Sequence, residues 1–325
     1  MDKSWRRAKQ RSLALLLIVL VAMSTLGCQL LFNRRSWVDV PAEEMARIVN
    51  MYDHELMMSW VKELTSDAYG GREAGTEYED LAGDYIIDLL QSFGLEPWHA
   101  AGLSDYRHSF PWGPGTAENI IAVLPGKSQD NYLLIGAHYD HIGIIDGVIH
   151  PGADDNAVGT AAVLEIARIM TKSGLTPEST VVFVLFGAEE KGLIGSYELV
   201  KYLQKQKLDQ RVALLNLDVI AGASGDTLVV YDSGYKGNKE WVEKAIEEGA
   251  VTGVKVKATD RLPGGVDSMS FSRERIPAIT LLWGDLLAEH PHLHQPTDTY
   301  ENLNHEIVAS ATRAAIRIAW AFANR

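Results

Sequence analysis

Two adjacent carboxylates, Glu189 and Glu190, stand at the end of an apolar stretch, residues 179–188, with Gly192 and Gly195 close behind. A pair of acids at that point could be a polar loop where a strand leaves the core. It could also be a working pair, one acid holding a cation and the other moving a proton. Comparable side chains recur after other apolar stretches. "GAHYDH" carries His138 and Asp140, "GADDNAVG" carries Asp154 and Asp155, "NLD" carries Asn216 and Asp218, and "HLHQPTDT" carries His292, His294 and Asp298. Taken singly each is ordinary, since an Asp before a helix is a common N-cap. Brought together they would not be. Carboxylates sharing one site raise each other's pKa, and a divalent cation removes that cost. A donor set mixing imidazole with carboxylate suits zinc better than magnesium or calcium, which take all-oxygen shells.

For these groups to meet, the chain must deliver them to one place. Apolar stretches at 119–126, 132–140, 179–188, 212–220, 226–232 and 276–283 predict strands. Helical spacing of apolar residues predicts helices over 41–64, 77–93, 156–170, 192–206, 237–249 and 304–323. Strands alternating with helices predict an α/β three-layer sandwich, a central, mostly parallel sheet with helices on both faces. Ligands in such sheets bind beyond the carboxyl ends of the strands. That is where His138, Glu189, Glu190 and Asp218 fall.

The ordered run "GAHYDH", "GADDNAVG", "FGAEEKGLIGS", "NLD" and "HQPTDT", preceded by "GREAGTEYEDLAGDYIIDLLQSFGLEP", resembles the co-catalytic di-zinc aminopeptidases over roughly residues 60–322. That family includes bacterial leucyl aminopeptidase and aminopeptidase Y, with carboxypeptidases and glutaminyl cyclases as relatives. The resemblance implies a zinc metallopeptidase that hydrolyses N-terminal residues from peptides through a water held between two zinc ions. It implies His138 and Asp218 on one zinc, Glu190 and His294 on the second, and Asp155 bridging, with Asp154 and His292 as the alternative donors. Glu189 would be the general base. Asp140 would hold the His138 imidazole from behind, and Asp298 would do the same near His294. Relatives often show "SDH" and a nearby Phe in the specificity region; here "GVDSMSF" supplies Asp267, Ser268 and Phe271 as candidate substrate contacts, with Ser268 in place of the His.

Other readings remain open at this point. A carboxypeptidase for acidic substrates would need a cluster such as Arg261, Arg273 and Arg275. A glutaminyl cyclase would use one zinc. A non-catalytic binding lipoprotein would keep only the fold.

The N-terminus is different in kind. Residues 1–11 are basic, 13–26 are apolar, and the only cysteine of the 325-residue chain, Cys28, follows Gly27. That order predicts a signal segment, and an apolar run shorter than the roughly 20 residues of a membrane span. "TLGC" resembles the lipobox of bacterial lipoproteins, although Thr25 stands where Leu is usual. The expected organisation is a lipoprotein signal peptide (1–27), a tether (28–40) and one catalytic domain (41–325). Cys28 would be lipidated, and the protein would be anchored in the cell envelope facing the periplasm, with Gln29 favouring the outer membrane. A single cysteine allows no disulfide within the chain. The net charge is −13, and −17 without residues 1–27. Such acidity argues against nucleic acid as a partner.

Overall fold

A computed structural model describes residues 36–325, and Val38–Arg325 fold as one compact unit. The expected signal segment, Cys28 and most of the expected tether lie outside the described residues. No helix among the described residues is long and apolar enough to cross a membrane.

Among the described residues the ten strands are β1 (Arg107–Trp112), β2 (Gly115–Leu124), β3 (Ser128–His138), β4 (Gly143–Ile145), β5 (Val148–His150), β6 (Ser179–Phe186), β7 (Val212–Leu217), β8 (Thr227–Tyr231), β9 (Lys255–Thr259) and β10 (Ala278–Trp283). Eight of them make one sheet in the order β1-β2-β6-β3-β7-β10-β8-β9, and β4 and β5 form a separate hairpin. β6, β3, β7 and β10 run parallel and form the centre of the sheet, while β1, β2 and β8 pair antiparallel at its flanks. Among the described residues the α-helices are α1 (Ala42–Asn50), α2 (His54–Leu64), α3 (Glu77–Phe93), α4 (Val158–Lys172), α5 (Ile194–Gln206), α6 (Lys239–Ala250), α7 (Ser268–Arg273) and α8 (His305–Ala323).

The central strands are apolar throughout because both faces are covered. Tyr132, Leu134, Val182, Val184, Phe186, Val212 and Leu214 pack with Leu199, Leu203 and Phe271 from α5 and α7. The intervening Leu133, Ile135, Val181 and Phe183 are equally buried. Alternation along a pleated strand turns them to the opposite face, where α4 packs on β3, β6 and β7. At roughly 25 cal/mol per Å2 of apolar surface removed from water, this two-sided burial is the main force holding the strands in place.

The helix expected over 41–64 is two helices. Asp53 interrupts it, adopting extended backbone and accepting the Leu56 N–H as the N-cap of α2. The expected strand ends move in slightly, so that His138 is the last residue of β3 and Glu189 and Glu190 sit in the loop after β6.

Candidate metal centre

Each ligand-type side chain is held at the carboxyl edge of the parallel strands by its own local device. His138 ends β3, with its carbonyl bonded by the Thr160 hydroxyl at 2.8 Å. Asp218 follows β7, and its N–H donates to Leu281 O of β10. Asp155 lies in an irregular turn, Ala153–Ala157, where the Asp155–Asn156 peptide is cis and Asn156 donates to Leu217 O. Glu189 and Glu190 follow the β6 end, and His294 enters from the loop after β10 in the left-handed region, φ 57°.

These residues converge. His138 Nε2 lies 3.2 Å from Asp155 Oδ1 and 3.4 Å from Asp218 Oδ1. His294 Nε2 lies 3.0 Å from Asp155 Oδ2 and 3.3 Å from Glu190 Oε2. Asp155 therefore presents one carboxylate oxygen to each histidine. His141, which the motif spacing does not single out, completes the cluster. It is fully buried, with Nδ1 2.9 Å from Glu190 Oε1 and 3.9 Å from Asp155 Oδ2. Its signal was present in "HYDH", where a third polar side chain follows the same strand end.

Two groups, His138–Asp155–Asp218 and His141–Asp155–Glu190, have donor atoms close enough to share a cation each. The orphaned atoms fit that use. Both His141 nitrogens and Glu190 Oε1 are buried without an aligned hydrogen-bond partner. Although His141 Nδ1 and Glu190 Oε1 are 2.9 Å apart, they do not point at each other as donor and acceptor. Buried polar atoms are rarely left so, and a cation between His141 and Glu190 would take Glu190 Oε1 and one of the two His141 nitrogens.

The electrostatics agree. Burial opposes charge on His138, but Glu189, Asp218 and the hydrogen bonds to Asp140 and Asp155 outweigh it and raise its pKa well above the ordinary value. Burial also pushes Glu189 and Asp218 up, and holds Asp267 at about 7. Burial raises Asp155 too, yet hydrogen bonds from His138 and His294 carry it well below the ordinary carboxylate range. A cluster that drives imidazole toward imidazolium is short of positive charge, the deficit a divalent cation fills.

Two expected roles are revised, and the two alternative donors lie elsewhere. Asp140 approaches His138 Nδ1 only to 3.7 Å, and that nitrogen meets the Asp140 carbonyl at 3.1 Å instead. The carboxylate of Asp140 accepts the Glu189 and Glu190 N–H groups at 3.0 and 3.3 Å. Asp298 likewise accepts the Asp154 and Asp155 N–H groups, at 2.9 and 3.1 Å, rather than attending His294. Asp154 turns away from the cluster to Ala221 N and His290, and His292 Nδ1 meets Thr297.

The centre opens into a cavity of about 280 Å3 whose walls are mainly Leu193, Val219, Val266, Leu282, Leu286 and Leu293, with Gly264 and Gly265. Asp267, Ser268 and Phe271 are not among its lining residues. All three are fully buried: Phe271 belongs to the core, and Ser268 accepts from Thr280. The wall is formed just upstream, by Gly264, Gly265 and Val266. Arg261, Arg273 and Arg275 do not line it either.

Comparison with known proteins places this arrangement. The signature described as peptidase family M28 matches residues 119–319. Aminopeptidase YwaD of Bacillus subtilis is 28% identical over 204 residues, covering 60% of this chain and 42% of that protein. Leucine aminopeptidase 1 of Pyrenophora teres f. teres is 26% identical over 295 residues, covering 86% and 73%. The LapA aminopeptidase of Legionella pneumophila superposes with a TM-score of 0.74 at 22% identity, over 91% of this chain and 79% of that one, a likeness of fold. The match to the Bacillus enzyme thus spans less than half of that protein's length. With the family signature running from β2 into α8 and across every side chain of the cluster, the chain belongs to peptidase family M28.

Proposed function

We propose that the chain is a zinc aminopeptidase that removes N-terminal residues from peptides. The observation that carries this reading is the sharing of Asp155, one oxygen facing His138 and Asp218, the other facing His294 and Glu190. His138, Asp155 and Asp218 would hold one zinc ion. Asp155, Glu190 and His294 would hold the second, with His141 against the far oxygen of Glu190. When bound, the two ions supply Lewis acidity that polarises a scissile carbonyl and makes a water acidic near neutral pH.

The remaining work falls to the chain's own groups. Glu189 takes the proton from the attacking water and returns it to the leaving amine. Asp140 fixes the backbone on which Glu189 and Glu190 stand, so a base and a ligand on adjacent residues keep separate stations. The leucine- and valine-lined cavity takes an aliphatic side chain and excludes water from around the reacting bond.

The test uses full-length protein in detergent with aminoacyl-chromogen substrates. Leucyl substrate should be cleaved in preference to glutamyl substrate, chelation should abolish cleavage, and zinc should restore it. Glu189→Gln should keep both metals and lose at least ~100-fold in kcat, the scale of general base catalysis. Full activity in Glu189→Gln removes that residue from the mechanism. One zinc per chain with cyclisation of N-terminal glutamine would favour a glutaminyl cyclase, cleavage from the other peptide end a carboxypeptidase, and zinc without turnover a binding lipoprotein.

The same reading extends to location. The protein is a lipid-anchored member of the cell envelope, held through Cys28 and facing the periplasm; the basic, apolar and "TLGC" order of residues 1–28 supports it.

A further inference from the structure

Arg72 is fully buried, yet it forms no ion pair with any described carboxylate. Its guanidinium is spent on main-chain carbonyls. Nε donates to Tyr139 O at 2.7 Å, Nη1 to Leu64 O and Pro151 O at 2.7 Å each, and Nη2 to Gly152 O at 2.9 Å. The Arg72 carbonyl in turn accepts the His141 N–H at 3.3 Å. One residue therefore grips both sides of Asp140, through Tyr139 and His141. It also grips the chain just before Asp154 and Asp155, through Pro151 and Gly152. Leu64, at the end of α2, is the anchor away from the centre. The backbone at Arg72 is itself left-handed, φ 55°, next to Gly70 and Gly71 in the same region, so the loop is shaped to aim the side chain inward.

We propose that Arg72 is the positioning residue that sets the separation of the two cation sites, by locking the β3 end that carries His138 to the turn that carries Asp155. The fork geometry is what suits arginine to this. Five donors in one plane can reach carbonyls from three segments at once, whereas a lysine ammonium is a single point on a flexible stem. Its charge has a second effect. Asp140, Asp298, Asp155 and Glu190 all attract it, so it offsets part of the negative charge behind the centre without occupying a ligand position. Burial lowers its pKa to about 10, which leaves it cationic at neutral pH.

This inference rests on the metal-centre reading of the site, and its test does not depend on peptide turnover. Cobalt is titrated into apo wild type, Arg72→Lys and Arg72→Gln, reading the visible d–d spectrum, and affinity is measured by chelator competition. Arg72→Lys keeps the charge but not the fork. It should fold, by near-ultraviolet circular dichroism, with an altered cobalt spectrum and cobalt affinity at least ~10-fold weaker, the scale for groups that orient ligands. Arg72→Gln, lacking charge as well, should be no better. A wild-type spectrum with affinity within about twofold in Arg72→Lys overturns the proposal. So does failure of both variants to fold with metal supplied, which would assign Arg72 to the fold rather than to the centre. If wild type itself binds no divalent cation, the metallopeptidase reading falls first.

Discussion

Asp140 and Asp298 do the same job at two places. Each carboxylate sits behind a pair of acids and takes the N–H groups of consecutive residues: Glu189 and Glu190 for one, Asp154 and Asp155 for the other. A carboxylate has two oxygens and no donor, so it matches two adjacent amides; an asparagine offers one oxygen and would turn its NH2 group against the second amide. Asp298→Asn should therefore loosen Asp155 and weaken zinc binding by about 10- to 100-fold, the range for outer partners of metal ligands. Chelator competition measures it, and unchanged affinity would show that the Asp155 backbone needs no clamp. The residue types for this centre are legible in sequence, because His, Asp and Glu gathered at several strand ends concentrate negative charge that a bound cation relieves. The supporting bonds are not. Whether Asp140 faces an imidazole or two amides depends on side-chain directions that spacing does not encode, and His141 was hidden by standing beside the more conspicuous His138–Asp140 pair.

At the scale of elements, the centre depends on how loops leave β2, β3 and β6. Gly187 and Gly195 lie where a Cβ would strike Glu118 O at 2.3 Å and Gly187 O at 2.1 Å. Close approach of this kind lets the chain turn from β6 into α5 directly beside Glu189. Glu79, in the first turn of α3, fills the same corner. One of its oxygens accepts the Gly75 N–H at 2.6 Å, and the other is buried without a partner. Burial raises its pKa from 4.5 to about 8. A pKa higher in the folded than in the unfolded chain means that folding is favoured by the protonated form. Glu79 thus contributes stability that is complete below about pH 4.5 and is lost as pH rises through about 8. Glu79→Gln removes the titration. Relative to wild type its melting temperature should improve between pH 5 and about pH 8 and level off above that. A constant difference across that range would mean that Glu79 is ionised in the fold. Long, periodic elements of this region were legible: α3, α5, β3 and β6 follow the apolar pattern closely. The unread elements are β1, the β4–β5 hairpin, β9 and α7. β4 and β5 are only three residues each, and β9 is largely exposed, so neither carries an apolar run for sequence to show. The break at Asp53 was readable only as an N-cap inside a continuous helical pattern.

For the molecule as a whole, the question is where a chain of net charge −17 beyond residue 27 works. An acidic surface is repelled by anionic headgroups, so the membrane attachment proposed above would come from the N-terminus. If Cys28 carries the lipid, residues 28–37 are the span between it and the compact unit that begins at Val38. Ten residues reach at most about 35 Å when extended. Two acyl signals hold a protein stably where one chain holds it reversibly, so loss of the modified cysteine should be decisive. Cys28→Ser in the expressing bacterium should move the protein from the membrane pellet to the soluble or unprocessed fraction, with leucyl-substrate hydrolysis per zinc-loaded molecule unchanged. Mass spectrometry of the wild-type N-terminus should find a diacylglyceryl-modified cysteine. An intact Met1 with unmodified Cys28 in membrane-bound wild type would replace the lipid by an uncleaved apolar anchor, leaving the metal centre as it stands.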